Sequence, residues 1–506
     1  MTSTLYRNGR VYSQANPAAS ALLVRDGVVD WLGPSDEAPS ADTTVDLDGA
    51  LVTPAFVDAH LHATDTGLAL DGLDLSGVRS AAELLDAVAA HAAARPGAAV
   101  VLGHGWDESA WTDRRKPTAA ELDRAVAGRP AYLTQASVHS ALCSTALLDA
   151  APGARTEPGF DEGGWLREEA HHAVREVALG SLSAAQRAEA QRVALRRAAA
   201  LGIAAVCECG GPGTSSEDDF TGLLKLSGQG LPEVYGYWGE LMAAAKAREL
   251  GAVGAGGDLY ADGALGSQTA RLSEPYRDAE GRGFAYVTTA QARDHLLDCA
   301  AHAMQGGFHA IGDEAVATVV DGFASAAKTI GVDRVRAGRH RVEHAEIVDK
   351  RLIAAFVEYG VVASVQPAFD RLWGGEHQMY AQRLGVDRAL ESNPFGAMHG
   401  IGVTLAFGSD SPVTPLDPWG TVRAAAHHFN PAHRMTVRAA FAAHTRGGWR
   451  AVHRDHEGTI GPGAPATFAV WSVPGDLAGG LPTLSGEQEL PTCRRTVLRG
   501  ETIYEG

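Results

Sequence analysis

The stretch FVDAHLH at residues 56–62 follows the apolar segment ALVTP and places two histidines at the tip of a predicted buried strand. His60 and His62 are two positions apart, so their side chains point to the same side of an extended strand. Neutral imidazole is a common ligand of divalent cations, and two imidazoles that face one point are a natural start for a metal site. The stretch therefore predicts both a strand and part of a metal centre.

Strand-like and helical segments alternate on the C-terminal side of this stretch. Eight apolar segments are typical of strands: LVTPAFVDA, GIAAVCECG, EVYGYWG, GDLYADG, GGFHAIG, RHRVEHA, GVVASVQ and GVTLAFGSD. Alanine-rich segments with helical spacing, such as AQARDHLLDCAAHAMQG, lie between most of them. Eight strands alternating with helices predict an α/β fold, a TIM-like (β/α)8 barrel.

The two ends of the chain and one long interval differ from this alternation. Both ends are rich in short strands and turns, which predicts one composite β-sandwich domain from residues 1–53 and 455–506 around a barrel at 54–454. The interval at about residues 64–180 is longer than one crossover needs and has strand-like pieces of its own. It predicts an inserted subdomain after the first barrel strand.

Composition limits the classes of partner. The 506 residues are 45% hydrophobic and 21% charged, as in globular proteins, and the net charge is −18. This acidic balance argues against nucleic acid or an anionic membrane as a partner, so we expect a small-molecule substrate. Five cysteines in apolar segments, with neither an export signal nor a membrane span predicted, indicate a cytoplasmic protein. A homo-oligomer is compatible with the sequence.

Further polar residues stand at the ends of later predicted strands. His309 ends the fifth strand, His344 the sixth and Asp410 the eighth. The carboxyl ends of barrel strands meet at one face, where the groups that do chemistry gather. Four histidines and one aspartate there predict a metal centre of one or two divalent ions. Their nitrogen and oxygen ligands suit zinc first, with manganese, iron or nickel as alternatives.

Several motifs also carry a family resemblance. They are TPAFVDAHLH, GHGWDESAW, YADGALGSQTARLSEPY, FHAIGDEAV, RVEHAEIV, ASVQPAF, FGSDSPV and GTIGPGAPATFAV. Together they resemble the amidohydrolase superfamily, and within it the N-substituted formamide deformylase-like branch. The resemblance implies a metal-dependent hydrolase that cleaves a C–N bond in linear or cyclic amides.

One position departs from the family pattern. Relatives usually carry a lysine just before the ADG motif, and its carbamylated form bridges two metals; here the matching residue is Asp258. An aspartate carboxylate lies several bonds closer to Cα, so Asp258 cannot simply reach the same point. It binds a metal after a backbone shift, or it hydrogen-bonds a ligand histidine, or it is a solvated or salt-bridged residue. These three interpretations stay open.

Two ligand sets follow from this departure. In one, a single ion is bound by a group of four residues, with His344 nearby. That group is His60, His62, His309 and Asp410. In the other, His309 and His344 hold a second ion.

The resemblance also implies catalytic roles. Asp410 would take a proton from a metal-activated water and later give it to the leaving nitrogen. His344, or the metal, would polarise the carbonyl oxygen and stabilise the oxyanion.

Three further residues are candidates for substrate contacts, each with a structural alternative. Trp106 stacks on an apolar part of the substrate or packs within the insertion. His139 lines the pocket or packs; it lies in ASVHSA, where relatives often have DGH and this chain has Ser137 and Val138. Asp262 shapes the pocket or forms a turn.

Two other functions remain as alternatives. A deaminase of an aromatic amine or nucleobase usually has a glutamate three residues after the fifth-strand histidine, and this chain has Gly312 there. A catalytically inactive barrel could act as a binding protein, but such a protein has no need of all five metal-binding candidates. Metal content and hydrolysis of formamides, amides and aminopurines would separate the three functions.

Overall fold

Eight parallel strands form the central sheet of the computed structural model, which describes residues 2–97, 100–112, 115–136, 138–486 and 488–506. In chain order they are β1 (Phe56–Leu61), β2 (Ile203–Gly210), β3 (Glu233–Trp238), β4 (Gly254–Ala255), β5 (Gln305–Ala310), β6 (Arg341–His344), β7 (Val362–Val365) and β8 (Thr404–Phe407). A parallel bridge between Leu61 and Ser411 connects β1 to the segment after β8. The predicted α/β barrel is confirmed.

Helices connect the strands on the outside of the barrel. They span Ala184–Ala200, Glu217–Leu224, Ala244–Glu249, Thr289–Ala301, Asp313–Ile330, Val332–Gly338 and Lys350–Tyr359. Between β7 and β8 lie four short helices, Pro367–Trp373, Met379–Leu384, Val386–Leu390 and Phe395–Gly400, and after β8 come Pro418–Ala426, Val437–Ala443 and Arg446–Ala451. Helix Lys350–Tyr359 shows the pattern: it buries Leu352, Ile353 and Phe356 against the sheet, at helical spacing.

The fourth strand differs from the sequence prediction. The segment GDLYADG was expected to be a strand, but β4 ends at Ala255 and this segment follows it as a loop. Gly256 lies against the backbone of Gly307, and Gly257 has a φ of +75°, which favours glycine. The chain therefore leaves the ladder with β5 just before Asp258 and pairs with β5 again where Tyr260 lies opposite His309.

The segment between β1 and β2 has a sheet and a core of its own. Its five strands are Leu73–Asp74, Val101–Trp106, Ala131–Gln135, Ser140–Cys143 and Trp165–Arg167. Helices Ala63–Asp71, Ala81–Ala94, Ala119–Ala125, Thr145–Ala150 and Glu168–Gly180 accompany them. Leu84, Leu122 and Leu133 are buried in its core. The last of these helices lies beside the mouth of the barrel and brings His172 and Arg175 to its cavity.

Strands from both chain ends share one sheet. Arg10–Val11, Leu51–Pro54, Phe468–Ser472, Thr492–Leu498 and Glu501–Glu505 form it, and Phe468 pairs with Pro54 across the two termini. A second sheet contains Ser3–Arg7, Ala21–Arg25, Val28–Gly33 and Thr43–Asp46, and an apolar core with Leu22 and Val497 lies between the sheets. The five cysteines are free and buried. Among the described helices, none has the length and apolar character needed to cross a membrane.

Candidate metal centre

Six side chains converge at the carboxyl ends of the barrel strands. They are His60, His62, Asp258, His309, His344 and Asp410, which are the six residues predicted from the sequence as metal ligands. Five are at most 6% exposed, and the His62 side chain is 13% exposed. Residues more than 300 positions apart in the sequence thus meet at one point because the parallel strands deliver them to the same end of the barrel.

Asp258 lies between the histidines. Its Oδ1 atom is 3.5 Å from His60 Nε2 and 3.4 Å from His309 Nδ1. The same oxygen is 3.8 Å from His344 Nε2, and Oδ2 is 3.1 Å from His62 Nε2. The early end of β4 and the turn at Gly257 carry the backbone inwards, which compensates for the short side chain. This geometry supports the interpretation of Asp258 as a metal ligand after a backbone shift, and its burial disagrees with a solvated residue.

Asp410 faces the same cluster from the other side. Its Oδ1 atom is 3.5 Å from His60 Nε2 and 3.3 Å from His62 Nε2, and Oδ2 is 4.0 Å from His344 Nδ1. Its backbone N–H donates to the His60 carbonyl oxygen at 2.8 Å, which fixes the segment after β8 against β1. Asp410 and His344 have φ values of +55° and +69°, a strained conformation for residues with side chains that often marks a functional site.

The donor atoms form overlapping groups with the spacing of metal ligands. One group is His60, His62 and Asp258; another is His60, His344 and Asp410; a third is Asp258, His309 and His344. Within each group the donor atoms lie no more than 4.8 Å apart. Because Asp258 belongs to two groups, the arrangement accommodates one cation or a bridged pair.

Two buried nitrogens give an independent test of metal binding. The Nε2 atoms of His60 and His344 have no hydrogen-bond partner within the described part of the chain, although both are buried in the cluster. Such atoms are rare in folded proteins because each loses its hydration without compensation. A cation at this point would bind both, so the residues present fit a metal.

A buried ion pair orients the His60 ring through its Nδ1 atom, and this pair was not predicted from the sequence. His60 Nδ1 donates to Glu343 Oε2 at 2.9 Å, and Arg341 Nε donates to Glu343 Oε1 at 2.7 Å. Burial opposes ionisation of Glu343, but Arg341 and His60 outweigh it and lower its pKa to about 2. The carboxylate therefore fixes the imidazole tautomer that leaves Nε2 free for a cation. Arg341 and Glu343 sit at alternate positions of β6, a signal that the sequence RVEH does contain.

Two more supporting residues were missed. His344 Nδ1 lies 2.9 Å from Gln366 Oε1, at the end of β7, and donates to it. Asp58 Oδ1 accepts from the backbone N–H of Ser409 at 2.9 Å and of His60 at 3.3 Å, which ties β1 to the end of β8. Burial raises the pKa of Asp58 to about 6. These contacts hold the ligand-bearing strand ends in position.

The three predicted substrate contacts have different surroundings. His139 borders the cluster, with its ring centroid 5.6 Å from that of His309; burial lowers its pKa to about 3, so the ring is neutral. Ser137, in the same motif, lies outside the described residues. Trp106 is fully buried in the core of the insertion, and its indole N–H donates to the Leu133 carbonyl oxygen at 2.9 Å. Its surroundings correct the stacking interpretation: the ring has no exposed face and packs.

Asp262 supports the loop rather than a substrate. Its carboxylate accepts from the backbone N–H groups of Ile311 at 2.9 Å and of Gly312 and Arg271 at 2.8 Å. These bonds join the β4 loop to the end of β5, where His309 is located. Burial raises the pKa of Asp262 to about 7 despite these donors.

Two chambers meet at the cluster. The front chamber is lined by Leu265, Glu346, Phe369, Trp373, Tyr380 and Arg383, among others. The inner chamber is lined by His171, His172, Arg175, Tyr260 and neighbouring residues from the insertion and the β4 loop. Both are bordered by His139, His309, His344 and Asp410. A substrate bond held at the cluster would therefore have one part of the molecule in each chamber.

Comparisons with known proteins identify the family of the chain. Residues 43–504 match the model of the amidohydrolase family. The putative amidohydrolase YtcJ of Bacillus subtilis is 27% identical over 99% of both chains. The N-substituted formamide deformylase of Arthrobacter pascens is 32% identical over 28% of this chain and 27% of its own.

Solved structures give the same result for the fold. An uncharacterized metal-dependent hydrolase from Pyrococcus furiosus is 26% identical, with a TM-score of 0.72 over 92% of this chain and 98% of its own. Another from Pyrococcus horikoshii has a TM-score of 0.76 at 24% identity, over 96% of this chain and all of its own, and supports the fold alone. The family match covers most of the sequence and includes every residue of the cluster, so the chain belongs to the amidohydrolase family and is a hydrolase.

Proposed function

We propose that this protein is a divalent-metal-dependent hydrolase that cleaves the C–N bond of a linear or cyclic amide, including N-substituted formamides. The observation that carries the proposal is the convergence of four histidines and two aspartates on one point, with two buried imidazole nitrogens that have no hydrogen-bond partner among the described residues. The relative named as an N-substituted formamide deformylase supports the amide class.

His60, His62, Asp258 and Asp410 would hold one ion, and His309 and His344, with Asp258 shared, would hold a second. Zinc is the first candidate because imidazole and carboxylate ligands suit it. A bound divalent cation lowers the pKa of water from about 15.7 to roughly 7–9 and polarises a carbonyl oxygen.

The side chains around the cluster would move the protons. Asp410 borders both chambers and would accept a proton from the attacking water. It then donates that proton to the leaving nitrogen as the tetrahedral intermediate collapses. His344, held at Nδ1 by Gln366, presents the lone pair of Nε2 to the cluster as a ligand. Stabilisation of the oxygen that gains negative charge would then come from a bound cation rather than from this ring.

The two alternative functions have less support from the geometry. At Gly312, where deaminases carry a glutamate, a side chain would clash with the carbonyl oxygen of Arg271. The chain has no room for an acid at this position. A purely binding barrel would not need the buried Glu343 and Gln366 that hold His60 and His344 in one tautomer.

Chelation and reloading test the proposal. The metal-free protein is titrated with zinc, manganese, iron and nickel, and each form is assayed against formamides, other amides and aminopurines for release of amine or ammonia. We expect one or two ions per chain and hydrolysis of amides only by loaded protein. Deamination of aminopurines with intact amides would favour the deaminase. Absence of tight metal binding would contradict the proposal.

A further inference from the structure

The front chamber has an aromatic wall. Phe369 and Trp373 have ring centroids 5.0 Å apart, and Trp373 and Tyr380 are 6.4 Å apart. Phe369 also lies parallel to the His344 ring, at 6.0 Å and an interplanar angle of 9°, so the wall begins at the metal cluster. An apolar or aromatic group that entered from the cluster would meet the faces and edges of these rings.

The charged residues of this chamber are mainly acidic. Asp107, Glu346 and Asp410 contribute carboxyl groups to its lining, and Arg383 contributes a cation. Arg383 is already engaged, because its guanidinium pairs with Asp278 and donates to the Gly266 carbonyl oxygen at 3.0 Å. The chamber therefore has acidic groups that Arg383 does not neutralise.

Glu346 is the unusual member of this lining. It is 2% exposed, and its carboxylate accepts from the hydroxyl of Tyr380, a neutral partner. In the part of the chain that the structure describes, it forms no ion pair with a lysine or an arginine. A buried carboxylate without a cation is unfavourable, and a positively charged ligand group would compensate for its lost hydration.

The two chambers differ in hydrogen-bonding character, which orients a substrate. The inner chamber presents the Tyr260 hydroxyl and the imidazole of His172, whose pKa is lowered to about 4 by burial. These neutral groups can donate hydrogen bonds to the acyl side of an amide. The front chamber instead presents the acceptor Glu346, which suits the amine side.

From these observations we infer that the front chamber selects amides whose amine part is aromatic or apolar and carries a protonated amino group, which Glu346 binds. The inference rests on the proposed function, because amide cleavage at the cluster decides which part of the substrate lies in each chamber. The aromatic wall adds a second attraction, since an ammonium group is stabilised over the faces of tryptophan and tyrosine rings. Tyr380 positions the Glu346 carboxylate.

Binding of matched ketone analogues to zinc-loaded protein tests this inference without turnover. The analogues replace the amide nitrogen by CH2 and carry an aminomethyl, a methyl or a carboxylate group at the para position of a phenyl ring. Calorimetry should show that the ammonium analogue binds at least about 10-fold more tightly than the methyl analogue, as for a charge-assisted hydrogen bond. The carboxylate analogue should bind most weakly.

Two variants test whether Glu346 causes the preference for the ammonium analogue. Glu346→Gln keeps the shape of the side chain and should remove the preference for the ammonium analogue while the methyl analogue binds as before, which also shows that the chamber is folded. Glu376→Gln, an exposed position a few residues before Tyr380, makes the same charge change and should retain the preference. Equal affinities in the wild type, no binding of the ammonium analogue, or an unchanged preference in Glu346→Gln would overturn the inference.

A separate assay distinguishes an error in the inference about the front chamber from an error in the proposed amide hydrolysis. The matching para-substituted amides are tested for hydrolysis by the wild type. If they are cleaved with no preference for the ammonium compound, the chamber inference is wrong and the amide activity stands. If the ketones show the predicted order but no amide is cleaved, the proposed reaction is wrong and Glu346 still recognises a cation.

Discussion

Asp258 is a residue whose departure from the family pattern is visible in the sequence, while its role stayed open among three interpretations. Its side chain is too short to replace a carbamylated lysine if the backbone stays in place. In the structure the backbone moves instead, and the carboxylate lies within 4 Å of four histidines. Bond counting predicted the mismatch correctly, but the position of the main chain after β4 decided the outcome.

Asp410 carries the proton transfer in the proposed reaction. Asp410→Asn keeps the size of the side chain and removes the base, so kcat should fall by about 100- to 10,000-fold, the usual contribution of general acid–base catalysis. Circular dichroism and thermal unfolding should stay close to the wild type. The exposed Asp333→Asn is the control for loss of one acidic charge. Near-normal turnover by Asp410→Asn would show that another group moves the proton.

Glu343 is a positioning residue that acts through His60. Glu343→Gln weakens the bond that fixes the His60 tautomer, so zinc affinity should fall by about 10- to 100-fold. It also leaves Arg341 as a buried cation without its carboxylate, which should lower the free energy of unfolding by about 3 kcal/mol.

Zinc affinity measured by chelator competition on folded protein, and urea unfolding, separate these two effects of Glu343→Gln. Glu358→Gln, at an exposed position on the outer helix, is the control. Lower stability with unchanged zinc affinity would mean that Glu343 has only a structural role.

At the scale of single elements, the shortness of β4 places Asp258. Gly257→Ala introduces a Cβ atom 3.0 Å from the Cβ atom of Cys209 at a φ of +75°, so the turn must shift. Zinc affinity should fall, and the free energy of unfolding should decrease by about 1–3 kcal/mol. Gly402→Ala is a matched control, because Gly402 has a φ of +91° but open space around its Cβ position.

Gly402→Ala should be destabilised by the same unfavourable backbone conformation, and it should bind zinc as tightly as the wild type. If both variants bind zinc like the wild type, the turn at Gly257 does not position Asp258.

The polar residues at the strand ends could be predicted from the sequence, whereas the side chains that hold them in position could not. His60, His62, His309, His344 and Asp410 follow clear apolar strands, so their convergence could be predicted from the barrel alone. The partners of His60 and His344 could not, because Glu343 reaches His60 from a strand that is not adjacent to β1, and Gln366 follows the strand next to β6. For Trp106 the sequence left stacking and packing open; it ends a strand of the insertion and packs inside, as the second interpretation had it.

At the scale of the whole molecule, the buried titratable groups predict the pH dependence of stability. Burial raises the pKa values of Glu208, Asp262 and Asp370 to about 7. Their folded-state pKa lies above the unfolded value, so stability from these groups is full at acidic pH and is lost as the pH rises through about 7. Burial lowers the pKa values of His340, His428 and His444 to about 4. That contribution is lost as the pH falls below about 6.5 towards 4.

The carboxyl contribution is lost from about pH 4 to 7 and the histidine contribution is gained from about pH 4 to 6.5, so the two trends oppose each other at acidic pH. A net fall in the stability of the metal-free protein is therefore expected between about pH 6.5 and 7. Thermal unfolding between pH 5 and 8.5 measures this, and Asp262→Asn should reduce the loss on the alkaline side. A melting temperature that rises steadily to pH 8.5 would contradict the assignment of these groups.

The large-scale organisation was the most predictable part of the molecule. The alternation of apolar and helical segments gave the barrel, because each strand must be buried and each helix must cover it. The detailed path of the insertion between β1 and β2 was not predictable. Its strands pair with one another and are not part of the alternation of strands and helices that predicts the barrel. His172, which lies in this insertion and lines the inner chamber, was missed for this reason.

The central claim is that distant histidines and aspartates bind a cation at one end of the barrel. Anomalous diffraction from zinc-loaded crystals tests it most directly. The account predicts one or two peaks at about 2.0–2.2 Å from the nitrogens of His60, His62, His309 and His344 and the carboxylates of Asp258 and Asp410. An ion bound elsewhere, or no ion at this cluster under any loading condition, would contradict it.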